Sequence, residues 1–208
     1  MQTPDAIRDT IFDENHAAHE PMAQFDLWWK DANTAGIIMP GIMTLCTVDA
    51  SGMPDGRIML LNSYDEEGFQ FFTNYKSNKA HQLADNPMAT MVMYWMTLDR
   101  QVRISGDIIK LDAPAADKVF NNLPRQNRLI ILASAQSEIL HDPSILAEKL
   151  RAITEAWEGQ EPERPAYWGG YKLLPHHVEF VQGRASGLHD RIRYVISEAN
   201  WIKQRLSP

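Results

Sequence analysis

The spacing of hydrophobic and polar residues changes from helical to strand-like early in the chain. Phe25, Trp28 and Trp29 recur at helical spacing behind Pro21, a residue suited to a first helical turn, and predict an amphipathic helix over residues 21–35. Runs rich in β-branched, aromatic and Met residues then predict strands over residues 42–49, 57–62, 69–74, 90–96 and 102–111. The connections 49–54 and 64–68 have turn composition, with glycine at or near a position of positive φ, and therefore predict antiparallel hairpins.

Helices interrupt and follow these strands. Ser77 can cap a short helix over residues 78–85, Asp112 can cap another from 113 to about 123, and a further helix is expected over 126–133. Asp142 opens a last helix that has one apolar stripe. The stripe consists of Ile145, Leu146, Leu150, Ile153 and Trp157. Strand patterns return over residues 171–174, 178–182, 191–197 and 201–206.

This order of elements predicts a mainly β fold. Strands from both halves of the chain must meet to complete a sheet, so we expect one closed or nearly closed antiparallel barrel with peripheral helices. Residues 21–208 are interpreted as a single domain and residues 1–20 as a mobile N-terminal arm. A division into two domains near residue 112 is the alternative.

Composition and charge exclude several classes of protein. With 44% hydrophobic and 23% charged residues among 208, the chain should fold into a globular domain. The uncharged stretch 34–48 is broken by Pro40 and two glycines, and the acidic N-terminus is unlike a secretory signal, so we expect no membrane span and a cytoplasmic location. A net charge of −7 opposes nucleic-acid binding. The single cysteine, Cys46, excludes an intramolecular disulfide.

Three cations are the main candidates for chemistry in this acidic chain. Arg57, Lys79 and Arg191 lie at edges of predicted strands or at a helix start, and the segment 77–81 offers backbone N–H groups, a hydroxyl and an ammonium that favour an anion such as phosphate. Further donors at element ends are Gln101, Gln136 and Ser137. Solvated surface charge and ordinary hydrogen bonding are the alternatives for each residue taken singly. His16 and His19 are too few ligands to predict a metal site.

The chain resembles the pyridoxamine 5′-phosphate oxidase family in a series of ordered segments. These segments are Gly56-Arg-Ile-Met-Leu-Leu61, Phe72-Thr-Asn74, Ser77-Asn-Lys-Ala-His81, Leu98-Asp-Arg-Gln-Val102, Ala135-Gln-Ser137, Tyr167-Trp-Gly-Gly-Tyr171, Val178-Glu-Phe180 and Leu188-His-Asp-Arg191. Together with weaker matches on either side, the resemblance runs in order from about Phe25 to the terminal Arg205-Leu-Ser-Pro208, so nearly the whole chain is covered. The tryptophan–glycine–glycine segment followed by the Leu-His-Asp-Arg segment is the most specific part.

The resemblance implies a split-barrel fold, a homodimer and two FMN molecules at the subunit interface. It implies that Arg57 and Lys79 hold the FMN phosphate at the helix that also carries Asn78. The segment that would lie along the flavin comprises Arg57, Ile58, Met59, Leu60, Leu61 and Asn62. The same subunit would also contribute Phe72, Thr73 and Gln101.

The resemblance also implies an activity, the oxidation of pyridoxamine or pyridoxine 5′-phosphate with transfer of a hydride to FMN and reoxidation by oxygen. Gln136 and Ser137 would reach the cofactor from the other subunit. Arg191 would lie near the isoalloxazine ring, and His189 would orient the substrate. The alternative for His189 is a structural histidine held by Asp190.

The chain departs from the family pattern at several positions. A basic residue is replaced by Asn78, and a tryptophan beside the flavin by Val181. The replaced substrate-phosphate positions are Asn62, Val119, Leu123, Asn127 and Gly187. Arg125 and Arg128, one helical step away, could compensate. Otherwise the more apolar pocket favours an aromatic or heterocyclic substrate, as in the similar flavin oxidases of phenazine biosynthesis, and a non-catalytic flavin-binding protein is the other alternative.

Overall fold

The computed structural model describes residues 10–198 and 200–208, and within them it contains nine strands and five α-helices. The strands are β1 (Ile42–Val48), β2 (Pro54–Leu60), β3 (Ser63–Tyr64), β4 (Phe69–Asn74), β5 (Met88–Trp95), β6 (Arg100–Lys110), β7 (Trp168–Gln182), β8 (Asp190–Ser197) and β9 (Asn200–Leu206). The helices are α1 (Pro21–Thr34), α2 (Asn78–Asp85), α3 (Ala113–Asn122), α4 (Arg125–Ala133) and α5 (Ser144–Ala156).

The strands form one antiparallel sheet. Its order is β2-β1-β5-β6-β7-β4-β3, with β8 added to β7 and β9 to β8. The sheet curls into a half-barrel, which confirms the mainly β, split-barrel fold with peripheral helices. β6 pairs with β7 along its whole length, although α3, α4 and α5 lie between them in sequence, so both halves of the chain share one sheet.

Strand β7 is continuous where the sequence predicted two strands, over residues 171–174 and 178–182. Pro175 breaks the hydrophobic pattern, and proline cannot donate a hydrogen bond to a sheet. The register of the β6–β7 pair shifts between Ser105 and Gly106, and Gly106 lies opposite Pro175. A Cβ atom on Gly106 would lie 1.9 Å from the carbonyl oxygen of Leu174, so this close approach requires glycine.

Alternating residues of the sheet and one face of α1 form the core. Phe25 of α1 packs edge-to-face on Phe69 of β4, with ring centroids 4.8 Å apart. Trp28 packs in the same way on Phe180 of β7, at 5.1 Å. Such pairs contribute about 0.5–1.5 kcal/mol each beyond the burial of their surface. The helix predicted from the aromatic spacing is therefore confirmed, and its aromatic face holds it on the sheet.

The two predicted turns use glycine for different reasons. Gly52, in the turn 49–54, has a φ of +88°, as expected. Gly68, at the end of the turn 64–68, does not have a positive φ, and this part of the prediction is wrong. A Cβ atom on Gly68 would lie 2.0 Å from the carbonyl oxygen of Leu173, so glycine is needed there because the hairpin passes close to β7.

The N-terminal segment packs on the barrel, where the sequence predicted a mobile arm over residues 1–20. Phe12 is only 7% exposed and its ring lies 5.0 Å from that of Trp28. Lys203 donates to the carbonyl oxygens of Glu14 and Ala17, and Tyr194 donates to that of Ala18. The buried ring of Phe12 and these three hydrogen bonds thus hold the segment on the barrel, although its acidic composition predicted a mobile arm. Residues 1–9 of the predicted arm lie outside the described residues.

The helices between β6 and β7 form a peripheral layer. The helix predicted over residues 126–133 is confirmed as α4, and it packs against α5. The apolar stripe predicted for α5 is present, but none of its residues is buried within one chain. Across the described residues, the structure contains no helix that combines the length and the apolar character needed to cross a membrane.

Candidate functional site

A buried lysine lies at the start of α2. Lys79 is 7% exposed, and its Nζ donates to Thr73 Oγ1 and Ser77 Oγ, both at 3.2 Å. Across residues 10–198 and 200–208, no carboxylate forms an ion pair with it. Burial lowers the pKa of Lys79 below its usual value, repulsion by the nearby Arg57 lowers it further, and attraction by Asp55 opposes the two only in part. A buried, unpaired ammonium is costly, so this position suits an anion.

Arg57 lies beside this lysine on the edge strand β2. Its Nη1 donates to the Leu45 carbonyl oxygen at 3.0 Å and to Thr47 Oγ1 at 2.6 Å, and its Nη2 donates to Gln82 Oε1 at 3.1 Å. It also pairs with Asp55 at 2.5 Å. These contacts hold the guanidinium at the α2 end of the barrel. We call Arg57, Thr73, Ser77 and Lys79 the cation cluster.

The loop after α4 reaches the cation cluster of its own chain. Thr73 Oγ1 donates to Gln136 Oε1 at 3.4 Å, and the Asn78 backbone N–H donates to Ser137 Oγ at 3.3 Å. The resemblance assigned Gln136 and Ser137 to the other subunit, but these contacts already bring them beside the cation cluster within one chain. The chain turns back after α4, and Ser137 adopts a φ of +73° in that turn.

A cleft of about 240 Å³ adjoins the cluster. Its lining includes Met59, Phe72, Thr73, Gln136 and Trp168. The rings of Phe72 and Trp168 stack with centroids 5.3 Å apart. The cation cluster thus lies next to a partly apolar cleft that has two aromatic rings in its wall.

The other residues of the predicted flavin segment differ in exposure. Ile58 and Leu60 are 67% and 50% exposed, and they alternate along β2 with the inward-facing Arg57. Leu61 is buried in the core, and Asn62 is exposed, with its backbone N–H bonded to Gln70. The period-2 alternation of β2 therefore divides this segment between two faces of the sheet.

Gln101 and Arg191 belong to a second group of residues. Gln101 pairs with Val181, and Val181 pairs with Arg191, so the three form one row across β6, β7 and β8. We call them the outer row. Along their strands these residues alternate with core residues such as Phe180, so they lie on the face away from the core. Arg57 pairs directly with Leu45 of β1, which is buried in the core, so Arg57 lies on the core face. The outer row therefore lies on the opposite face of the sheet from Arg57, and Gln101 does not join the contribution of Thr73 within one chain.

His189 lies in the exposed loop before β8, and among the described residues its ring forms no hydrogen bond or ion pair with Asp190. The carboxylate of Asp190 is instead bound by the Phe12 backbone N–H, Arg184 and Arg205. The interpretation of His189 as a histidine held by Asp190 is therefore not supported by the geometry. The side chain is accessible to a ligand.

The two arginines suggested as replacements for the lost phosphate ligands have other partners. Arg125 donates to the Trp157 carbonyl oxygen at 2.6 Å, and Arg128 donates to Glu161 at 2.6 Å. Both tie α4 to the loop after α5. Neither therefore compensates in this conformation for the apolar residues at Val119 and Leu123.

Sequence reasoning missed the residues that hold the candidate cations, among them Gln82 and Glu179. Gln82 on α2 binds Arg57, and Glu179 on β7 binds Arg191. Glu179 carried a signal, because it is a charged residue inside the otherwise apolar run Val178-Glu-Phe180 of a central strand. Gln82 carried none beyond its place one turn after Lys79.

The fold places this protein in the class of antiparallel split-barrel proteins, and its buried cation cluster lies beside the edge strand β2. A family model described as pyridoxamine 5′-phosphate oxidase matches residues 30–156, and one described as the pyridoxine 5′-phosphate oxidase C-terminal dimerisation region matches residues 168–208. The chain belongs to the pyridoxamine 5′-phosphate oxidase family.

Relatives and solved structures agree with this assignment. The chain is 46% identical over 199 residues to a pyridoxine/pyridoxamine 5′-phosphate oxidase of Burkholderia cenocepacia (strain HI2424), covering 94% of this chain and 92% of that protein. It is 42% identical over 206 residues to the protein of the same name from Pseudomonas fluorescens (strain SBW25), covering 98% and 95%. PhzG from Burkholderia lata 383, solved in complex with tetrahydrophenazine-1-carboxylic acid, is 28% identical, with a TM-score of 0.91 and coverage of 96% and 98%. These relatives identify an oxidoreductase of the oxidase type, and the matched dimerisation region indicates a homodimer.

Proposed function

We propose that this protein is an FMN-dependent oxidase. The observation that carries the proposal is the buried ammonium of Lys79, which has two hydroxyl partners and no carboxylate partner among the described residues. Arg57 adds a second cation, and Asn78 presents a backbone N–H at the start of α2. A terminal phosphate would neutralise Lys79, lie beside Arg57 and accept a hydrogen bond from the Asn78 N–H in place of Ser137, so these residues fit the phosphate of FMN.

Two copies of the chain would complete each site. The cation cluster and the outer row face opposite sides of the sheet, so a single ligand would contact both only if a second copy supplied one of them. A two-fold dimer supplies such a pair twice. Arg57, Lys79, Gln136 and Ser137 would come from one subunit, and Gln101 and Arg191 from its partner.

The chain's own residues would position the reactants. When bound, FMN supplies a hydride acceptor whose electrons pass to oxygen, giving hydrogen peroxide. Arg191 would place a positive charge where negative charge develops at the ring. His189, exposed on the loop before β8, would orient the substrate by hydrogen bonding. The cleft beside Phe72 and Trp168 would exclude water from one side of the ring.

A planar heterocycle is a second candidate substrate beside the B6 phosphates. Val119 and Leu123 replace polar residues that the family uses to hold the substrate phosphate, and Gly187 replaces an arginine. Losing a charge-assisted hydrogen bond to a phosphate costs about 1.5–3 kcal/mol, so two such losses would weaken binding by roughly two to four powers of ten. The complex of PhzG with tetrahydrophenazine-1-carboxylic acid supports the capacity of this fold to bind such a compound.

Cofactor binding is the first test. Purified protein should be yellow or should take up added FMN, and the Arg57→Ala and Lys79→Ala variants should lose it. Protein that remains colourless in excess FMN would refute the proposal in favour of a barrel without flavin.

Turnover is the second test. Oxygen consumption by FMN-loaded protein should be measured with pyridoxine phosphate, pyridoxamine phosphate and reduced heterocycles, and His189→Ala should abolish it. Turnover of B6 phosphates on the order of 1 per second or faster would contradict the argument that the replaced phosphate ligands weaken the binding of these substrates. Bound FMN without turnover of any compound would instead indicate a flavin-binding protein.

A further inference from the structure

A buried carboxylate joins two arginines on the outer face of the sheet. Glu179 lies on the central strand β7, and its side chain is only 3% exposed. Its Oε1 accepts hydrogen bonds from Arg191 Nε at 2.8 Å and Nη2 at 2.6 Å. Its Oε2 accepts from Nη2 of Arg103, a neighbour of Gln101 on the same face of β6.

These contacts fix the orientation of the Arg191 guanidinium. Nε and Nη2 are bound by Glu179, and Nη1 donates to the Ser207 carbonyl oxygen at 2.9 Å. A guanidinium is planar, so contacts on three of its nitrogens define both its position and its plane. The remaining N–H groups of Arg191 are therefore already oriented, and the side chain need not change rotamer to bind a ligand.

The charges of the group are also informative. Arg191 and Glu179 alone would form a neutral pair with little positive charge for a ligand. Arg103 adds a second cation on the far oxygen of the same carboxylate, so the triad carries one net positive charge. An ion pair that served the fold alone would not need the third member, and buried pairs are on balance weak contributors to stability.

We propose that Glu179 and Arg103 are positioning residues for Arg191 and set the charge that it presents to the flavin. This inference rests on the proposed function, in which Arg191 of one subunit lies against the FMN of the other. Removing the carboxylate charge should favour the reduced flavin, and removing the Arg103 charge should disfavour it.

The direction in which each substitution shifts the midpoint potential of bound FMN tests this proposal. Glu179→Gln should raise the ratio of affinities for reduced over oxidised FMN about fivefold, a shift of about +20 mV for a two-electron couple. Arg103→Gln should shift the potential by a similar amount in the opposite direction, and the double variant should return towards the wild-type value. Arg193→Gln is the matched control, because Arg193 lies on the same face but binds Gln204, and it should change the ratio less than twofold.

The outcomes separate the inference from the proposed function. Shifts of the same sign for both variants, or equal effects of Arg103→Gln and Arg193→Gln, would overturn the inference while leaving FMN binding intact. If Glu179→Gln fails to fold, Arg103→Gln decides, because Arg103 is 47% exposed and should tolerate the change. An Arg191→Gln variant that binds FMN with an unchanged potential would also overturn the inference, whereas a wild-type protein that binds no FMN would overturn the proposed function itself.

Discussion

Replacing Lys79 by Met should weaken FMN binding without destabilising the protein that lacks FMN. Lys79 would lose a charge-assisted contact to the phosphate, worth about 1.5–3 kcal/mol, which corresponds to a rise of about 10- to 150-fold in Kd. In the FMN-free protein two effects oppose each other. Two hydrogen bonds of about 1 kcal/mol each are lost, but a buried ammonium that has no carboxylate ion-pair partner within the described part of the chain is removed. We expect a change in Tm of no more than about 4 °C.

Fluorescence quenching of FMN gives the Kd, and thermal unfolding of the FMN-free protein gives the Tm. Lys76→Met is the matched control, because Lys76 carries the same charge three residues away but is exposed and lies over the Tyr167 ring. It should change the Kd less than about threefold. A Lys79→Met variant with unchanged Kd, or one that loses stability in parallel with affinity, would show that the lysine serves the fold.

The pH dependence of binding follows from the same lysine. Its pKa is lowered in the FMN-free protein, and a phosphate would raise it again, so the protonated form binds more tightly. Affinity should therefore fall as the pH rises through the lowered pKa of Lys79, below its usual value of 10.5. In Lys79→Met this alkaline loss should be absent. An identical pH profile in the variant would assign the loss to another group.

Three further substitutions test the fold. Phe12→Ala should cost about 3 kcal/mol in urea unfolding, because Phe12 is buried against the core, and a cost below about 1 kcal/mol would mean that the N-terminal segment is not anchored there. Gly68→Ala should cost about 3 kcal/mol by the same assay, because the added Cβ would clash with the Leu173 carbonyl, and an unchanged midpoint would contradict that contact. Burial and the hydrogen bond to Asp26 raise the pKa of Tyr64 to about 12, so the contribution of this phenol to stability is present below pH 10 and is lost as the pH rises towards 12. Tyr64→Phe should reduce this alkaline loss of stability in a series of thermal unfolding curves. An undiminished loss would exclude the phenol as its source.

Elements with a strong local pattern could be predicted from the sequence. The strand over residues 69–74 and the helix over 78–85 have the predicted boundaries, because a Gly-containing turn precedes the first and Ser77 and Pro87 bound the second. Where a contact distant in sequence decides the structure, local patterns failed. Pro175 divided the prediction for β7, whereas pairing with Gly106 of the distant strand β6 keeps β7 continuous past a bulge at His176.

The composition of the candidate site could be predicted only in part. The sequence indicated Arg57 and Lys79 as a pair, and the structure brings them together. It could not indicate that Gln136 lies beside Thr73 of its own chain, or that Gln101 lies on the opposite face of the sheet from Arg57, because both depend on pairing between distant strands and loops. Burial of Lys79 without a carboxylate partner also depends on the whole fold, because neighbouring residues in the sequence do not reveal it.

The separation of the cation cluster from the outer row has a genetic consequence. At FMN concentrations too low to saturate the Lys79→Met site, an allele carrying Lys79→Met and one carrying Arg191→Gln should complement each other when both are expressed in one cell. In a mixed dimer, one site would contain both substitutions and the other site would contain neither. With random assortment of equal amounts of the two polypeptides, roughly a quarter of all sites would be restored. Each allele expressed alone would restore none, because every dimer would then carry the same lesion in both sites.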